Sequence, residues 1–215
     1  MSVKIVEDRL DAYGCQSTQE EDYVLREITQ ELVLNSLYNA GLFKKGAFQG
    51  GTALRIMHGL RRFSEDLDFA LLESDRKFDL NSHLASLNAE LKAFGFDIKI
   101  ESCSSLGAMQ HTFLKDESLG RLLKIRYPKS DGPVRTLKIK LEVDTNPPAG
   151  AGIDVKFLDF PIQYAVTVHD RPSLFAGKSH ALLCRKYVKG RDWFDFLWYV
   201  GQKVAPNFTF LGNAL

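Results

Sequence analysis

Two aspartates inside an apolar run constrain this chain more than any other feature. In "SEDLDFALLE", Asp66 and Asp68 stand either side of Leu67 and are followed by Phe69, Ala70 and Leu71. Phe69 and the leucines predict a buried strand, and on a strand residues i and i+2 point to the same side. Two carboxylates are then held next to each other. Buried like charges repel and are costly to desolvate unless a cation lies between them. An all-oxygen pair of this kind suits Mg2+ or Mn2+ accompanied by substrate phosphates.

The residues just upstream fit the same chemistry. In "FQGGTALRIMHGL", Gly50 and Gly51 allow a tight turn and a close backbone approach. Thr52 then opens a short helix whose free N–H groups suit phosphate oxygens. Far downstream, "VRTLKIKLEVD" alternates strictly and predicts a strand over Val134–Asp144. Leu137, Ile139, Leu141 and Val143 face one way; Lys138, Lys140, Glu142 and Asp144 face the other. Glu142 is a third candidate carboxylate, and Asp144, on the same face, is the alternative. The competing reading of Asp-x-Asp alone is a strand preceded by a charged turn, with Asp66 as an edge cap.

Around these segments the pattern is mixed. "EEDYVLREITQELVLNSLYNAGLF" reads as an amphipathic helix closed by Gly41. "DLNSHLASLNAELKAFG" reads as one helix, capped by Asp79 and stopped at Gly95. Strands are expected at Phe96–Ser102, Gln110–Leu114 and Arg121–Tyr127, and "TNPPAGAG" must be a loop. "PSLFAGKSHALLCRKYVKG" reads as a helix starting near Pro172. "RDWFDFLWYVGQKV" reads as another, with Trp193, Phe194, Leu197 and Trp198 on its buried side. This order predicts an α+β fold, with a first domain over residues 1–170 and a helical part over 171–215. The chain stops soon after, at "PNFTFLGNAL". That is an early end for a helical module and suggests a longer parent protein.

Composition excludes several classes. The chain has 215 residues, 45% of them hydrophobic, which is enough for a sizeable core. A net charge of +1 gives no global field for nucleic acid or membrane, so any nucleic-acid surface must be local. Cys15, Cys103 and Cys184 are odd in number and far apart, which argues against disulfides or zinc and fits a reducing cytoplasm. The charged N-terminus resembles no signal peptide, and no apolar run is long enough to span a membrane. His169 and His180 have no metal-ligand partners at sensible spacing.

"GGTALR…RRFSEDLDFAL" resembles the signature of the nucleotidyltransferase superfamily, a glycine pair with a hydroxyl followed by Asp-x-Asp. More narrowly it resembles the AbiEii/AbiGii-type toxin family, through Gly50, Gly51, Thr52, Leu54, Arg62, Ser64, Asp66, Leu67, Asp68 and Phe69. A late block, "KSHALLCRKYVKGRDWFD", resembles the same family through Lys178, Arg185, Lys189, Arg191, Asp192 and Asp195. The superfamily often has Ser where Thr52 stands, which keeps the hydroxyl.

The resemblance implies a nucleotidyltransferase-like mixed sheet with flanking helices. It implies an enzyme that moves a nucleoside monophosphate from an NTP to an acceptor hydroxyl, with Asp66, Asp68 and Glu142 holding the metal. Lys178 and Asp192 join them as catalytic residues: Lys178 counters phosphate charge, and Asp192 orients Lys178 or assists the acceptor hydroxyl. Gly50, Gly51, Thr52, Arg62, Ser64, Arg185, Lys189 and Arg191 are the implied substrate-binding residues. The implied acceptor is RNA, the 3′ end of a tRNA. The implied role is a growth-inhibiting toxin with a cognate antitoxin, of the phage-defence type. Other readings are a small-molecule or protein nucleotidyltransferase, or a non-catalytic nucleotide- or RNA-binding module. The late block has its own structural alternative: a solvated basic face, with Asp192 as a helix cap.

Overall fold

The computed structural model describes residues 2–102, 118–127 and 135–215. In order, its elements are α1 (Ser2–Ala12), α2 (Thr18–Asn39), β1 (Gly46–Gln49), α3 (Gly50–His58), β2 (Leu67–Leu71), α4 (Leu80–Leu84) and α5 (Leu87–Ala93). There follow β3 (Asp97–Ser102), β4 (Ser118–Tyr127), β5 (Arg135–Asp144), β6 (Ile153–Leu158), β7 (Tyr164–His169), α6 (Arg171–Cys184), α7 (Gly190–Gly201) and α8 (Phe208–Ala214). The strands form one mixed sheet in the order β3-β4-β5-β2-β1-β7-β6. Strands β2 and β5 run parallel, as do β1 and β7; the other pairs are antiparallel. The fold is α+β, a mixed sheet with flanking helices.

The alternation in β5 does what its pattern requires. Leu137, Ile139, Leu141 and Val143 are buried, while Glu142 and Asp144 stay partly exposed on the other face. Phe69 is aligned with Val143 across the parallel pair and with Phe48 across the antiparallel one, so all three feed one core layer. Helix α2 covers that sheet, and Tyr164 of β7 donates to the Glu31 carbonyl of α2 at 2.8 Å. Because α2 is wrapped on several sides, it buries nearly every residue from Val24 to Leu37, polar ones included. Its start is set by Ser17, whose side chain accepts from the Glu20 N–H. The C-terminal helices adhere to the same core through Leu174, Phe175 and Tyr199.

Three expectations change. The segment after Asp79 is two short helices, α4 and α5, interrupted at Ala85–Ser86, although Asp79 does cap the first. Strand β2 starts at Leu67, so Asp66 sits just before it. On α7, Trp193, Phe194 and Leu197 are exposed, and Asp192, Asp195 and Tyr199 are buried instead. The helix is rotated because its two aspartates meet cations inside the fold, and leaving those charges buried without partners would cost more than exposing apolar rings. Trp198 remains partly buried against the core. The expected strand at Gln110–Leu114 lies outside the described residues, as does Cys103. Among the described residues, Cys15 and Cys184 are free thiols. No helix among the described residues is long and apolar enough to cross a membrane.

Candidate active site

Strand register assembles the acidic side. Asp68 is aligned with Glu142 on the neighbouring parallel strand β5, and with Gln49 on β1. Asp66 lies two residues before Asp68, just ahead of the strand, and close enough for its charge to act on Asp68. The register also separates the two candidates for third carboxylate by their distance along the sheet from Asp68. Asp144 is aligned with Ala70, one pleat further on, and its Oδ1 accepts from the Asn146 N–H at 3.0 Å, fastening the loop after β5. Glu142 is the carboxylate beside Asp68.

Like charges are crowded here. Burial pushes the Asp68 carboxyl up to about 7, and the Asp66 and Glu142 carboxylates add to the push; Lys140 and Lys178 act against it. The Asp66 carboxyl is also raised, first by burial, against the pull of Arg191 and Lys140. Glu142 pairs with Lys140, two residues back on its own strand, at 2.5 Å. Among the described residues no three acidic, histidine or cysteine side chains already stand at metal-ligating distance. The donor set nevertheless fits a hard divalent ion: three carboxylates whose charges act on one another, two of them with pKa raised first by burial and then by like charge.

The glycine turn lies directly over this group. Gly50 follows Gln49 and adopts a φ of +79°, which favours glycine. A Cβ there would run into Asp68 Oδ2. A Cβ on Gly51 would lie 2.7 Å from Arg62 Nη2 and 3.0 Å from Ser64 Oγ. Both glycines therefore let the chain pass close to the Asp68, Arg62 and Ser64 side chains. Thr52 is fully buried, and its hydroxyl donates to the Asp66 carbonyl. That bond ties α3 to the entry of β2; contact with a phosphate would fall to the backbone N–H groups.

The cationic side comes from the late block. Lys178 on α6 donates to Asp192 Oδ1 at 2.8 Å and pairs with Asp195 Oδ2 at 2.9 Å. Arg185 reaches Asp192 Oδ2 at 2.6 Å. Arg62 grips Asp195 with two parallel bonds, Nε to Oδ1 at 2.6 Å and Nη2 to Oδ2 at 2.5 Å. Both aspartates are almost fully buried. Lys178 and Arg185, with their hydrogen bonds, hold the Asp192 carboxyl below its usual range, although burial opposes them. Asp192 also accepts from the Lys189 N–H at 3.4 Å, so it closes the first turn of α7 as well as orienting Lys178. Both carboxylate oxygens of Asp192 are engaged by cations, which suits an orienting role. Arg191 is exposed and acts on Asp66. Lys189 is exposed at the cap of α7. Asp195 carries the largest share of this network, yet the sequence marks it only by its place in the late block.

The match to a family model decides the affiliation. Residues 32–213 match the nucleotidyl transferase AbiEii toxin family of the type IV toxin–antitoxin system. The chain belongs to this family. AbiEii membership covers both the glycine–Asp-x-Asp block and the late cationic block. Two solved structures resemble the fold. One is a putative nucleotidyltransferase from Helicobacter pylori (TM-score 0.52, 20% identity, 80% of this chain and 67% of that one). The other is JHP933 from Helicobacter pylori (TM-score 0.56, 19% identity, 87% of this chain and 68% of that one). No match is found among curated proteins.

Proposed function

We propose that this AbiEii-family chain is a metal-dependent nucleotidyltransferase that moves a nucleoside monophosphate from an NTP to an acceptor hydroxyl, acting as a toxin held in check by an antitoxin. The observation that carries the reading is the alignment of Asp68 with Glu142, with the Asp66 charge acting on Asp68, beside a glycine turn. Asp66, Asp68 and Glu142 would hold Mg2+ or Mn2+, which when bound neutralises triphosphate charge and lowers the pKa of an attacking hydroxyl. Residues 1–170 supply the acids and the phosphate turn; residues 171–215 supply Lys178, Arg185 and Arg191.

Every other contribution is one of positioning and charge. Backbone N–H groups of Gly51 and Thr52, at the start of α3, receive the β- and γ-phosphates. Lys178 and Arg62 counter the charge that builds on the leaving pyrophosphate. Arg185 and Arg191 extend the positive rim toward the acceptor, which we take to be RNA, the 3′ end of a tRNA, because the transfer needs a free hydroxyl and a polyanion suits that rim. Phage defence in the cytoplasm is the physiological setting this role suits.

The test is incubation of the protein with each α-labelled NTP, Mg2+ and total cellular RNA, followed by a gel. The reading expects label on small RNA that disappears with EDTA and with Asp68→Asn. Label that stays on free NTP under all conditions would contradict it.

A further inference from the structure

We infer that Asp195 is a positioning residue that fixes the spacing of the two triphosphate-facing cations, Arg62 and Lys178. The inference rests on the nucleotidyltransferase reading above and names what holds that site in register. Asp195 lies on α7 and is fully buried. Its Oδ2 takes both Arg62 Nη2, at 2.5 Å, and Lys178 Nζ, at 2.9 Å, so one oxygen anchors both cations. Its Oδ1 takes Arg62 Nε and completes a fork that fixes the guanidinium plane. Arg62 comes from the loop before β2 and Lys178 from α6; in the network described, they meet at this carboxylate.

The fork aims Arg62 at the site. Its Nη2 is the atom nearest to where a Gly51 Cβ would stand, at 2.7 Å, which puts it over the first turn of α3. Nε and Nη2 are bound to Asp195 and Nη1 to the Phe63 carbonyl at 3.2 Å. A guanidinium has five N–H donors, so Arg62 keeps donors for an incoming anion.

The experiment measures binding of a fluorescent NTP with Mg2+, together with kcat and KM for transfer, on the full chain. The variants are Asp195→Asn, Arg62→Gln, Arg62→Lys and the double Asp195→Asn/Arg62→Gln. Asp195→Asn should weaken NTP binding at least 10-fold and raise KM in step, since a misaimed cation loses about that much or more. The double variant should bind worse than Arg62→Gln alone, but by less than the full Asp195→Asn loss, because Asp195 acts partly through Arg62 and partly through Lys178. Arg62→Lys, which keeps the charge but cannot make the fork, should lose most of the same binding and covers the case in which Asp195→Asn does not fold. Equal NTP binding by wild type and Arg62→Lys, or additive losses in the double variant, would overturn the positioning role. Failure of wild type to bind NTP would remove both this inference and the reading beneath it. Binding without transfer would remove only the reaction, and binding by Asp195→Asn at wild-type strength would remove only Asp195.

Discussion

The two halves of the site are built on opposite rules. At the strand side, Asp66, Asp68 and Glu142 are close enough for their charges to act on one another, and burial plus repulsion lifts the pKa of the first two. On α7, each buried carboxylate has two cations: Asp192 has Lys178 and Arg185, and Asp195 has Arg62 and Lys178. One half is left electrostatically incomplete and the other is completed in advance. Incomplete charge in a folded protein is tolerated where a ligand completes it. On the function proposed above, the strands would hold the metal and the helices the phosphates.

Substitutions should break the two halves in opposite ways. Asp68→Asn removes one of the crowded charges. Transfer should fall by roughly 10²–10³-fold, while the melting temperature without metal stays level or rises as like-charge repulsion is relieved. A large drop in melting temperature would mean that Asp68 is a structural ion. Lys178→Met should also lower transfer, by about 10²-fold, but here stability should fall by roughly 1–3 kcal/mol, because Asp192 and Asp195 each lose a buried partner. Unfolding in urea alongside the transfer assay separates these outcomes. Because Lys178 and Asp192 are buried, breaking their pair costs more than an exposed pair would.

A smaller effect is expected at the junction of the halves. Gly51→Ala puts a methyl group against Arg62 Nη2 and Ser64 Oγ without a φ penalty. It should weaken NTP binding roughly 10-fold with little change in melting temperature. Unchanged binding would place the phosphates elsewhere.

What the sequence disclosed follows from how local each signal is. Strand β5 was legible because its alternation is written within its own residues, and so was the acidic pair, since Asp66 and Asp68 are two apart. The choice of Glu142 over Asp144 was not, because it depends on the offset between two strands more than 70 residues apart in the chain. Likewise α7 reads as a helix with a buried aromatic stripe, yet it turns Asp192 and Asp195 inward. The reason lies at Arg62, a distant partner that no periodicity reveals. Strands β6 and β7 gave no prior sign; β6 is mostly exposed and carries Ile153, Val155 and Phe157 outward, so its pattern is not that of a core strand.

An ion pair away from the site supplies a control with no expected effect on transfer. Glu31 on α2 is paired with Arg9 at 3.1 Å, and burial pushes its carboxyl up to about 7 despite that arginine. A raised folded-state pKa means that the folded form takes up the proton more readily than the unfolded chain. The stability it confers is complete below about 4.5 and is lost as pH rises through about 7. Glu31→Gln should therefore gain stability relative to wild type between those values, in urea unfolding at pH 5 and pH 8, with NTP binding unchanged. A difference independent of pH would show that Arg9 keeps Glu31 ionised throughout.

The central claim, that the strand acids are completed by a divalent ion, is tested most directly by calorimetric titration of Mn2+ into wild type and Asp68→Asn, with and without a non-transferable NTP analogue. The account predicts wild-type binding in the millimolar to sub-millimolar range, tightened by the analogue and weakened about 10-fold or more in the variant. Equal Mn2+ binding by the two proteins would contradict it.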